Sequence, residues 1–178
     1  LPEPAAPFLP EWSNFYVIAG SSAAALTGLM FVVITLVRGE EQSQVRHDGI
    51  ATFSTPTVMH FCAALFVSAI LCAPWHSLVY VAVIVGLVGG YGVLYLAGVA
   101  RRAKRLTKYT ADVDDWMWYT ILPLLAYGAL VAGAIVLNAV PRGALFVLAG
   151  GVLSLIFIGI RNSWDVVTFL AVGGDKES

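Results

Sequence analysis

From Phe15 to Val37 the chain runs without a charged side chain, and the same holds for Leu78 to Ala100, Trp116 to Val140 and Gly143 to Ile160. An α-helix rises about 1.5 Å per residue and the hydrocarbon core of a bilayer is about 30 Å thick, so about 20 apolar residues cross it. The chain is 59% hydrophobic and 12% charged, whereas soluble domains average roughly 45–50% and 25%. A soluble fold of this length cannot cover so much apolar surface. The sequence therefore predicts an all-α integral membrane bundle forming a single transmembrane domain. The N-terminus lacks a basic leader and a small-residue cleavage site, so the first apolar segment is expected to stay in the protein.

Five spans are expected, over 15–37, 56–73, 78–100, 116–140 and 143–160. The four prolines before Trp12 predict an extended tail, and Trp12, Phe15 and Tyr16 an interfacial aromatic belt. Thr55 followed by Pro56 reads as an N-cap with proline at the first helical position, which would open the second span there. Pro74 ends that span and Trp75 anchors it. Pro123 should kink the fourth span, and Pro141, Arg142 and Gly143 form a tight connection to the fifth. Nothing between Ile160 and Trp164 breaks a helix, so the fifth span is expected to continue to about residue 172. Small residues at spacings of four, Gly20/Ala24/Gly28, Gly86/Gly90 and Gly150/Ser154, predict faces for close helix approach and self-association. GLVGGYG is glycine-rich, but a dinucleotide loop needs a strand before it and a helix after it, and this run lies inside a span. SSAAALTG has neither the lysine nor the glycine spacing of a phosphate loop.

With five spans the termini lie on opposite sides. One side would collect Arg38, Arg46, Arg101, Arg102, Lys104, Arg105, Lys108, Arg161 and Lys176, nine basic residues against Arg142 alone. That bias places the N-terminus outside and the C-terminus in the cytoplasm. Arg101, Arg102, Lys104, Arg105 and Lys108 then form a cytoplasmic flank for anionic lipid headgroups rather than a nucleic-acid surface.

Polar residues inside the spans are few, and the densest group is FSTPTVMHF at 53–61. Thr57, His60, Ala64 and Ser68 share one helical face, which should turn away from lipid. Two readings stand side by side. In one, His60 is a proton-sensitive or ligand-contacting histidine, assisted by Ser54, Thr55 and Thr57 and by free N–H groups at the helix start, where an anion could sit. In the other, it is hydrogen-bonded between helices near the interface. Arg161, Asp165 and Thr168 likewise share a face. Arg161 and Asp165 are either an i, i+4 ion pair or, because arginine preceding the acid is the poorer order, reach an interhelical partner, with His60 or Thr57 nearest by depth.

Metal and cofactor sites are not expected. Cys62 and Cys72 are ten residues apart on one helix, about 15 Å, too far for a disulfide, and His60 and His76 are about 24 Å apart by the same rise. Asp112, Asp114 and Asp115 complement the dipole of the helix that follows. No set of residues has the spacing of a catalytic centre.

At FYVIAGSSAAALTGLMFVVITLV, at FSTPTVMHF with the later APW, and at GIRNSWD, together about a third of the chain, the sequence resembles a family of small bacterial polytopic membrane proteins of unknown function. Some relatives with a similar first span are labelled modulators of a membrane-bound ATP-dependent protease. The resemblance implies a multi-pass protein of the bacterial plasma (inner) membrane and assigns no functional residues. Two functions follow as expectations. One is an oligomeric channel or transporter for a small ion or solute, with a polar cytoplasmic mouth near His60. The other is a regulatory or assembly subunit acting on a membrane protein partner.

Overall fold

In the computed structural model the backbone is described for residues 8–39, 44–105 and 116–173, and side chains for most of these outside 36–55 and 102–105 and short of the C-terminal end. All described elements are helical: α1 (Leu9–Gly39), α2 (Gln44–Cys72), α3 (Leu78–Arg105), α4 (Leu122–Val136), which a π-helical turn (Met117–Ile121) precedes, and α5 (Pro141–Gly173). Four apolar stretches are long enough to cross a membrane: Leu9–Thr35, Leu78–Arg101, Met117–Val136 and Pro141–Asp165. The apolar part of α2, Pro56–Cys72, is shorter. The protein is thus a helical membrane protein.

The helix starts depart from expectation at three places. α1 begins at Leu9, not after the belt, because Pro10 falls in a first turn, where no N–H is required of it. α2 begins at Gln44, so Pro56 lies inside a helix instead of opening one. Proline disfavours helix before it and removes one N–H, but a helix continues through it when the flanking residues form helix on both sides. The 38–49 polar stretch is accordingly helical at both ends. Finally α5 starts at Pro141 itself, at the favoured first position, and the connection is Leu137–Val140. A kink is expected at Pro123, and what precedes it is a widened turn. The Leu122 N–H reaches back five residues to the Met117 carbonyl, which makes room for the proline ring.

α5 is the central helix, held between α2 and α4, while α1 packs on the far side of α2 and α3 on the far side of α4. Contact pairs give the directions. Gly20 faces Ser68, and Cys72 Sγ lies 3.8 Å from the Ser13 carbonyl, so α1 and α2 are antiparallel. Gly86 faces Ala134 and Gly89 faces Val131, so α3 and α4 are antiparallel. Gly133 meets Leu148 and Gly151 meets Leu130, so α4 and α5 are antiparallel too. α1 and α5 run together. Their N-terminal ends are clamped by the Tyr16 hydroxyl donating to the Leu145 carbonyl at 3.3 Å and by Trp12 edge-on to Phe146 at 4.7 Å.

The core is built from Leu, Val, Ala and Ile of all five helices, while Ile18, Leu29, Phe31, Leu87, Leu94, Ile135 and Phe157 face outward, as lipid requires. Close approach does occur through small residues, but on other faces than four-residue spacing suggests. Gly20 touches Ser68, whereas Ala24 and Gly28 are exposed; Gly90 and Gly150 meet nothing, and Ser154 is exposed. The tight positions include Gly92 under the Tyr127 ring and Gly159 under the Phe61 ring. Spacing fixes that residues share a face, not which neighbour that face meets.

This contrast can be measured. Gly159→Ala should destabilise the folded protein by about 1–3 kcal/mol, since its Cβ would overlap the Phe61 ring. Gly128→Ala, at a helical position with open space, should be neutral or stabilise by up to about 1 kcal/mol. Thermal unfolding of both variants in detergent checks the pair, and equal effects would contradict the α2–α5 contact.

Candidate functional site

Among the described residues the buried polar side chains are Thr57, His60, Ser68 and Asn162, each at 0–1% exposure. Three come from the stripe on α2, which therefore turns inward as hydrocarbon demands. Helical geometry brings the fourth to them. Phe61 of α2 packs on Gly159 of α5. The antiparallel course of these helices makes one turn toward the start of α2 equal to one turn toward the end of α5. Thr57 lies about 6 Å beyond that contact and Asn162 about 4.5 Å beyond it, in the same direction. His60 is one residue from Phe61. Thr57, His60 and Asn162 thus occupy one level of the bundle.

His60 is tied to a third helix. Its Nδ1 lies 3.1 Å from the Tyr127 hydroxyl of α4, and the two ring centroids are 5.6 Å apart. Tyr127 reaches this place because Gly92 of α3 leaves room for its ring. The phenol hydrogen needs an acceptor in the bundle interior, and Nδ1 is the one within reach. The Tyr127 O–H therefore donates, and a neutral imidazole then carries its own hydrogen on Nε2. Nε2 has no hydrogen-bond partner among the described residues, and the same is true of the Ser68 Oγ and of both amide atoms of Asn162. Buried polar atoms are seldom left so, because each forfeits its hydration without return.

The remaining predicted residues separate from this group. Ser54 and Thr55 sit inside α2, where helical bonds consume the backbone N–H groups, so no anion cradle exists at 54–57; their side chains lie outside the described residues. Arg161 pairs with Asp165 within α5, and their side chains are 38% and 36% exposed. The arginine guanidinium also lies over the Trp118 ring, 5.6 Å from its centroid. Arg161 thus reaches Trp118 of the π-helical turn on another element, and His60 is bonded to Tyr127. Thr168 bonds the carbonyls of Trp164 and Asp165. Of the basic flank, Arg101 is exposed on α3, Arg102, Lys104 and Arg105 continue that helix, and Lys108 lies outside the described residues. The cysteines are free and exposed.

Asn162 and Tyr127 were not among the expected site residues. Asn162 continues the spacing of Leu155 and Gly159, the inward face of α5, so its burial follows once that face is known. The charged neighbours in RNSWD hide it. Tyr127 carries no local signal, since its role depends on Gly92 of another helix. Comparison with family models, curated proteins and solved structures finds no match for this chain.

Removing the Tyr127 hydroxyl should cost about 1–2 kcal/mol, because Tyr127→Phe leaves Nδ1 buried without its donor. His60→Phe and Tyr127→Phe together should cost less than the sum of the two. A double-mutant cycle in detergent reads the coupling, and additive losses would mean that the bond adds nothing to stability.

Proposed function

We propose that the protein crosses a bacterial plasma membrane five times, with its N-terminus outside, and acts as an oligomeric channel or transporter for a small ion or solute, its polar cytoplasmic mouth near His60. The observation that carries this reading is the polar level formed by Thr57, His60 and Asn162 inside a bundle whose outer surface is apolar. Polar side chains within membrane spans are costly to bury, and where they gather in a bundle interior they mark paths for polar species. Several support the crossing number. α2 is packed between α1 and α5, both long enough to cross, and its apolar part measures about 25 Å by helical rise. Arg161 and Asp165 follow Gly159, the Phe61 contact, by about 3 Å and about 9 Å of helical rise, and a charged pair so near supports a polar mouth close to His60. The exposed Ala24 and Gly28 of α1 leave a flat strip for a second copy.

Two measurements test the proposal. In oriented vesicles a cysteine at position 76 should react with a membrane-impermeant reagent from outside and one at position 103 should not; the reverse pattern would refute the orientation. For transport, purified protein in liposomes should raise proton, ion or solute flux above that of empty liposomes. His60 and the Tyr127 bonded to it are titratable side chains at that polar level. His60→Gln should therefore flatten the dependence of flux on pH while leaving the fold intact. Wild-type liposomes no leakier than empty ones would end the channel reading.

A further inference from the structure

We infer that the seam between α2 and α5 at the level of His60 and Asn162 is a binding site for uncharged, water-sized hydrogen-bonding molecules. Asn162 and the Nε2–H of His60 are its ligating groups. The inference uses the buried residues and the antiparallel packing; it deepens the transport reading by naming the occupant, but it does not require that anything cross the membrane.

The stereochemistry selects the ligand. Nε2–H is a donor once Tyr127 donates to Nδ1, and Asn162 presents a donor at Nδ2 and an acceptor at Oδ1, all without a partner among the described residues. A buried water makes about three hydrogen bonds to otherwise unpaired polar groups, and these three atoms offer one acceptor and two donors. A metal cation is disfavoured because the donors point hydrogens at it. An anion is disfavoured because the nearby described cation, Arg161, is already paired with Asp165. The nearest charges, Arg161 and Asp165, neutralise each other, and the guanidinium lies over Trp118. An ion would shed its hydration here with no countercharge in return, whereas a neutral molecule sheds little and gains bonds.

Ser68 and Gly20 form a separate contact, about 10 Å further along α2, and they are not part of this site.

Phe61 reports on the seam. It has no accessible surface, its ring lies against Gly159, and it neighbours His60 in sequence while Gly159 is three residues from Asn162. Radiolytic footprinting of the full chain in liposomes generates hydroxyl radicals from bound water as well as bulk water and oxidises the side chains beside them. Phe61 should be oxidised in the wild type, and its oxidation should fall at least threefold in Asn162→Leu. If that variant does not fold, His60→Phe supplies the same readout from the other ligating residue. No oxidation of Phe61 in the wild type, or no decrease in the variant, would overturn the site. The transport reading fails separately: an oxidised Phe61 in a protein without flux refutes transport alone, and flux past an unoxidised Phe61 refutes the site alone.

Discussion

Hydrocarbon offers no hydrogen bonds, and this single constraint decides where each polar side chain of the bundle can go. The stripe on α2 has to face inward, and an inward face needs a neighbour close enough to exclude lipid. α5 provides it through Gly159, whose missing side chain admits the Phe61 ring. Everything around α5 follows from that approach. With α2 on one side and α4 on the other, α5 becomes the most buried of the apolar stretches, and α1 and α3 are left at the edges with most of their surface toward lipid.

The two ends of the bundle are held by different chemistry. At the end that carries Trp12, aromatic contacts and the Tyr16 to Leu145 hydrogen bond fix α1 to α5, and Trp75 caps the end of α2 by donating to the Ile70 carbonyl at 2.6 Å. These contacts are apolar or locally satisfied. At the other end His60 and Asn162 hold polar atoms without a partner among the described residues, and the half-exposed Arg161–Asp165 pair adds little to stability, about 0–1 kcal/mol for a pair so open.

The architecture was legible because it depends on length and charge, which are local. Uncharged runs, the inward stripe Thr57/His60/Ser68 and the disturbance at Pro123 all follow from residues read in order. What could not be read depends on pairs. Gly86/Gly90 and Gly150/Ser154 have the right spacing, yet the closer contacts fall at Gly89, Gly92 and Gly151, because the rotation of each helix is set by its neighbours' side chains. Pro56 misled for a related reason: the rule for a first-turn proline describes the helix it begins, and it is silent on a helix already under way at Gln44. Asn162 stayed hidden behind its charged neighbours because burial on α5 is defined by where α2 lies.

The hydrogen bond between His60 and Tyr127 has a mechanical meaning in this topology. α2 and α3 touch only lightly despite their short connection, and α1 with α2, and α3 with α4, form two pairs joined mainly through α5. His60 of α2 and Tyr127 of α4 supply a polar link between those pairs. Tyr127 is in turn seated under Gly92 of α3, so it cannot move without moving the α3–α4 contact. A proton that adds to this imidazole takes Nδ1, the atom that accepts from Tyr127, and so removes the acceptor that holds Tyr127. Whatever alters this imidazole is therefore coupled to the position of α4 by a route two residues long.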